Sequence, residues 1–169
     1  DSTVRIQTAG ASASLPSTGT FTWSFWYRPN SISAEHYLFN KLGSQSNDYS
    51  PRLYLQTTGA LKATSTTNNV GYGGNAITSN TMTIGSWNHV IVKQTGNTIY
   101  AILNDGAVAS ASVISGNNSG EDYQFFLNAT GVDGDIKNAI LYSTALSASD
   151  ITALYNSGVP ATSSTAGVT

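Results

Sequence analysis

The sequence predicts an all-β domain, a sandwich or barrel of short strands, with a jelly roll as one such solution. Three observations predict it. Apolar residues alternate with period two along most of the chain, which is the spacing of a strand with one buried face. Glycines fall between these stretches, at Gly43, Gly59, Gly71, Gly73, Gly74, Gly85 and Gly96, where turns demand positive φ. The 169 residues include 9 Tyr, 5 Phe and 3 Trp, enough large side chains to fill a core. Ser, Thr, Asn and Gln occupy 64 positions and only 9% of residues are charged, a composition compatible with disorder only where aromatics are scarce.

The strands follow in order. Thr20 to Tyr27 sets Phe21, Trp23, Phe25 and Tyr27 on one face, with Thr22, Ser24 and Trp26 on the other. Arg52 to Gln56 carries Leu53 and Leu55 against Tyr54. Trp87 to Lys93 sets Val90 and Val92 against Trp87, His89 and Ile91. Trp87 is expected in the core, where truncation to Ala would cost about 3–5 kcal/mol. Asn97 to Leu103 leads into Asn104-Asp105-Gly106, a hairpin signal. Phe125 to Asn128 and Ile136 to Tyr142 complete the strong strands. One helix is predicted. Ser147-Ala148-Ser149-Asp150 reads as a capping box, Ile151, Leu154 and Tyr155 follow at helical spacing, and Gly158 and Pro160 end it. The domain is expected over residues 1–159. Residues 160–169 read as a flexible tail or linker, which predicts a domain that continues into, or was cut from, something longer.

Composition narrows the function. Net charge is −2 and the seven Lys and Arg are scattered singly, so no basic face is expected to take a nucleic acid. No apolar run approaches the length of a membrane span, so no membrane insertion is expected. No charged, apolar leader precedes Asp1, and the expectation is that any targeting segment is absent or already removed. Cysteine is missing altogether, which excludes disulfides, thiolate metal sites and cysteine nucleophiles.

Several stretches, taken in order, resemble laminin-G-like domains of the concanavalin A-like lectin/glucanase jelly rolls. Phe21-Thr22-Trp23-Ser24-Phe25-Trp26-Tyr27-Arg28-Pro29 resembles their "F-T-x-S-F-W-x-K/R-P" strand. Gly85-Ser86-Trp87-Asn88-His89-Val90 resembles their "G-x-W-H-H-V" strand. Thr98 to Gly106 looks like the strand and turn that follow. Asp133 to Ser147 resembles "f-x-G-x-I-D-E-v-r-i-Y-n-r-a-L-s", and Ala153 to Gly158 the closing "a-L-Y-n-x-G". The resemblance covers about residues 3 to 158. It implies two antiparallel sheets packed face to face, and recognition of carbohydrate or protein partners.

Catalysis is not expected. A glycosidase needs two carboxylates flanking the scissile bond. Catalytic relatives of the fold carry E-x-D-x-E on one strand; here the only glutamates are Glu35 and Glu121, in loop-like sequence. Neither His36 nor His89 sits in a nucleophile motif, and His89 is expected as a hydrogen-bonded core residue. No cofactor is expected. The resemblance implies Ca²⁺ near the "G-x-I-D-E" strand, but Lys137-Asn138 replace the acidic pair, leaving Asp133 and Asp135 as candidate ligands and solvated turn aspartates as the preferred reading.

Sugar recognition combines an aromatic platform with amides and hydroxyls. The main candidate is the stretch Ser65 to Asn75, polar and glycine-rich, read as a long loop with Tyr72 near its centre and Asn68, Asn69 and Asn75 around it. Tyr49 and Asn47 lie in a second polar loop. Trp26 and Tyr54 are further aromatic candidates, with Trp26 either on an open face or under a covering loop. The reading is a non-catalytic glycan or glycoprotein recognition module, lectin-like or adhesive, on a cell exterior or virion surface. The alternative is a structural or assembly domain of a virion or surface fibre without a small ligand, for which a homo-oligomer, commonly a trimer, would be expected.

Overall fold

The computed structural model describes residues 20–41, 50–67, 71–72, 74–113, 123–125 and 133–160. Eleven strands appear among them: β1 Phe21–Pro29, β2 His36–Lys41, β3 Ser50–Leu55, β4 Leu61–Thr67, β5 Gly71–Tyr72, β6 Ala76–Ile77, β7 Asn88–Thr95, β8 Thr98–Leu103, β9 Ala109–Ser112, β10 Tyr123–Phe125 and β11 Gly134–Tyr142. A single α-helix, α1 (Ala148–Tyr155), follows, with a 3₁₀ turn at Asn156–Gly158.

The strands form two antiparallel sheets. One runs β11-β1-β7-β8-β9; the other runs β10-β2-β3-β4-β5, with β6 also paired to β4. This is the jelly-roll sandwich the sequence predicts. Strand β1 lies at the centre of the packing, and its period-two pattern is realised in full. Phe21, Trp23, Phe25 and Tyr27 enter one core with Leu38, Leu53, Leu55, Leu61, Val90, Val92, Ile99 and Leu103 from both sheets.

The opposite face of β1 is buried as well. Thr22, Ser24 and Trp26 are covered on the outer side of the five-stranded sheet, where α1 and the segment leading into it pack. Ile151 of α1 meets Ile91 and Ile102 in a second, smaller apolar cluster, with Leu146 against it. Thr22 Oγ1 donates to the Thr144 carbonyl and accepts from the Leu146 N–H, both at 2.9 Å, fastening that segment to β1. The helix starts on the predicted capping box: Ser147 Oγ accepts from the Asp150 N–H, and Asp150 accepts from the Ser147 N–H. It ends earlier than predicted, because Asn156 already takes the left-handed conformation at φ 44.

Two glycines are demanded by geometry. Gly96 has φ +54 in the two-residue link between Thr95 and Thr98, the positive φ that a tight hairpin needs. A Cβ at Gly134 would lie 2.4 Å from the Arg28 carbonyl oxygen, so only glycine lets β11 close onto the end of β1. The predicted Asn104-Asp105 turn is also present, with φ 53 and 52.

Other expectations are corrected. Ser65 to Asn75 is not one long loop: β4 runs on to Thr67, and Gly71 and Tyr72 pair back with Thr67 and Thr66. Trp87 precedes β7 and is only partly buried; it is not a core residue. Strands β2, β4, β5, β6 and β9 carry no strong periodic signal. A register shift between Tyr37 and Phe39 interrupts β2 at Leu38, and the inward positions of β9 are alanines partly buried against the core. The predicted strand Phe125 to Asn128 lies outside the described residues beyond Phe125.

Candidate functional site

Register brings the strand ends that flank two polar stretches of sequence to one end of the six-stranded sheet. Ser50 pairs with Thr66, and Thr66 pairs with Tyr72, so the start of β3, the end of β4 and β5 lie side by side. Because Asn40 pairs with Arg52, β2 also ends on that side. The chain therefore leaves at Lys41 and returns at Ser50, then leaves at Thr67 and returns at Gly71, all at the same end. Asn47 and Tyr49 belong to the first connection and Asn68 and Asn69 to the second; these four lie outside the described residues. Tyr72 sits on β5 within the row. Asn75 is exposed, beside Gly74, whose N–H donates to the Ser112 carbonyl of β9 at 2.8 Å.

Tyr54 is elsewhere. It stands four residues along β3 from Ser50, about 13 Å away at the usual rise per residue. Its ring is 8% exposed and is 4.5 Å, centroid to centroid, from that of its cross-strand partner Tyr37. Lys62 Nζ lies 4.1 Å from the same ring centroid and is held by Glu35 at 2.8 Å. Burial, with the Tyr37 hydroxyl alongside, pushes the Tyr54 phenol up to about 12. The ring is thus spent on contacts within the sheet, and no face remains as a platform for a sugar.

Trp26 is removed from solvent by the helix rather than by a loop. It is 3% exposed and stacks on His89 at 4.9 Å and on Tyr155 of α1 at 5.9 Å. His89 is the expected core histidine, with Nε2 2.9 Å from Ser24 Oγ. Its Nδ1 is buried without a hydrogen-bond partner. Burial holds this imidazole down at about 4 despite the Asp105 carboxylate, which pulls the other way. A serine beside a histidine invites comparison with a nucleophile and base. Here both are buried under α1, and no carboxylate orients Nδ1, so the pair cannot work as a triad.

The two aspartates considered for metal are engaged with protein donors. Asp135 Oδ2 accepts from Arg28 Nε at 3.0 Å and Nη2 at 2.5 Å. Asp133 Oδ1 accepts from Asn30 Nδ2 at 2.9 Å. Among the described residues no group of three or more His, Asp or Glu comes together. With a guanidinium on Asp135 and the Lys137 ammonium two residues along the same strand, the donor set does not fit a calcium ion.

Sequence reasoning missed one surface cluster. The Trp87 ring carries Lys137 Nζ at 4.4 Å and the Arg28 guanidinium at 5.3 Å from its centroid. Register is the signal behind it: Arg28 pairs with Asp135 and Trp26 with Lys137 across β1 and β11. No helix of the described residues is long and apolar enough to cross a membrane.

With this architecture in place, the family is plain. The family model for the concanavalin A-like lectin/glucanases superfamily, of laminin G type, matches residues 1–152, and the chain belongs to it. No curated protein matches the sequence. Among solved structures, the chain is similar to the heptameric SAP-like pentraxin of Limulus polyphemus, at 14% identity and TM-score 0.63, covering 81% of this chain and 70% of that one. It is similar to the binding domain of botulinum neurotoxin serotype D, at 15% identity and TM-score 0.66, covering 90% of this chain but 42% of that one. It is also similar to domain 4 of the GH43 extracellular arabinanase of Geobacillus stearothermophilus, solved with arabinotriose, at 17% identity and TM-score 0.64, covering 80% of this chain and 66% of that one. At such identities the likeness is one of fold.

Proposed function

We propose that this chain is a non-catalytic recognition module that binds a neutral or weakly acidic glycan at the end of the six-stranded sheet where β2, β3, β4 and β5 meet. The observation that carries this reading is the row Ser50, Thr66 and Tyr72. It supports the reading because Ser50 follows the stretch that carries Asn47 and Tyr49 in sequence, and Thr67 precedes the one that carries Asn68 and Asn69. Amides and aromatic rings are the groups that suit the hydroxyls and apolar faces of a sugar. Family membership supports the reading, and the arabinotriose complex of the arabinanase domain is a precedent on the same fold. Low charge supports the choice of glycan. Among the described residues Arg28 and Lys62 are already held by Asp135 and Glu35, which leaves less free positive charge for a highly sulfated chain. Such a module would act outside the cell or on a cell or virion surface.

A glycan array supplies the ligand, and calorimetry on a reproducible, competable hit then tests the site. Tyr72→Ala is expected to abolish most binding with the fold intact, and affinity is expected to change little between low and high salt. Undiminished affinity in Tyr72→Ala would reject the site. A steep salt dependence would reject the neutral-glycan reading, and an array without hits would favour a protein partner or an assembly role, to be followed by light scattering.

A further inference from the structure

We propose that α1 is an acid-released latch: protonation of His89 frees the helix from the outer face of the five-stranded sheet while the two sheets stay packed.

The geometry supplies the device. His89 is 1% exposed, and its ring has one polar contact, Nε2 to Ser24 Oγ at 2.9 Å. An imidazolium carries two N–H donors, and Nδ1 has nothing to donate to. In place, the charged ring would be a buried cation with an unmet donor. Burial lowers the pKa from the ordinary 6.5 to about 4, against the opposing pull of the Asp105 carboxylate. The groups facing the ring are Ser24 and Trp26 from β1, Tyr155 from α1 and the Asp105 carboxylate from the turn after β8. The other cations on this sheet face are occupied: Arg28 and Lys137 lie over Trp87, and Lys93 Nζ donates to the Leu146 carbonyl.

Of the elements covering His89, the helix is the one that can leave. Trp26 belongs to a central strand, paired on both sides. Tyr155 belongs to an eight-residue helix whose only buried residue is Ile151, in a cluster separate from the core between the sheets. Beyond that cluster and the aromatic stack, a Thr152–Asp105 hydrogen bond at 3.0 Å on the exposed surface ties the helix to the sheet side. Lifting α1 would open a path for water to Nδ1 and leave the inter-sheet core untouched. The sign follows from the lowered pKa. The closed form is fully favoured above the ordinary histidine value and loses its advantage as pH falls toward about 4. Within that window the ratio of open to closed rises by up to about tenfold per pH unit. Asp150 of the capping box, held below its ordinary 3.8 by its Ser147 hydrogen bonds, titrates beneath the window.

Amide exchange followed by NMR on the whole chain tests this. Between pH 6.5 and 4.5, protection of the Ile151 and Asn156 amides, corrected for intrinsic exchange, is expected to fall by up to tenfold per unit. The Val90 and Val92 amides of β7 should keep theirs. In His89→Gln, which retains a polar partner for Ser24 but does not titrate, the helix response should be flat. Constant helix protection in the wild type, an equal fall in His89→Gln, or sheet protection falling in step would each overturn the proposal. If His89→Gln does not fold, the contrast between helix and β7 in the wild type decides.

Discussion

Lys137 Nζ lies 4.4 Å from the centroid of the Trp87 ring, on the outer face of the sheet that buries Trp26. The two tryptophans belong to the same sheet face and differ in what covers them. Trp26 lies under α1; Trp87 lies beyond the helix, with two cationic side chains over it.

Their truncations are therefore expected to separate. Trp26→Ala should cost about 3–5 kcal/mol in denaturant melts, the usual loss for a buried aromatic. Trp87→Ala should cost about 1 kcal/mol, the scale of a cation–π contact near the surface. Equal losses would show that Trp87 is as deeply packed as Trp26.

Removing the cap should loosen the helix selectively. Ser147→Ala deletes the acceptor for the Asp150 N–H and is expected to destabilise by about 1 kcal/mol. Ser147→Thr should restore most of that. A loss below about 0.3 kcal/mol for the alanine variant would mean that α1 is held by Ile151 and Tyr155 alone.

Alkaline pH should weaken the fold through Tyr27. Burial pushes its phenol from 10.0 up to about 12, and the nearby Asp133 and Asp135 charges push the same way. The folded state thus keeps this proton where the unfolded chain releases it. Stability is complete below pH 10 and is lost as pH rises toward 12, at no more than about 1.4 kcal/mol per unit for this group. Urea midpoints measured from pH 9 to 11.5 should fall less steeply in Tyr27→Phe; parallel slopes would remove Tyr27 from the cause.

Calcium removal should change nothing. Asp133 and Asp135 are satisfied by Asn30 and Arg28, so a chelator is expected to leave the melting temperature within error of the untreated chain. A bound ion at about 100 times its dissociation constant would add about 2.7 kcal/mol, and a drop of several degrees on chelation would reveal one.

The sequence by itself determined the strand character of β1, β3, β7, β8 and β11, the inward face of β1, the capping box of α1 and the core position of His89. Each rests on a signal carried by residues close together in the chain: period two for a strand, a four-residue box for a helix start. The same signals were too weak in β4, where Leu61 is followed inward by Ala63, in β9, whose inward residues are alanines, and in β2, where a register shift breaks the alternation. Period two also says that a strand has two faces without saying what lies on each. Only the tertiary structure laid α1 over Trp26 and His89, left Trp87 to Arg28 and Lys137, and spent the Tyr54 ring on Tyr37 and Lys62. It was likewise strand register, a relation between residues far apart in sequence, that set β3, β4 and β5 in one row, with Ser50, Thr66 and Tyr72 side by side.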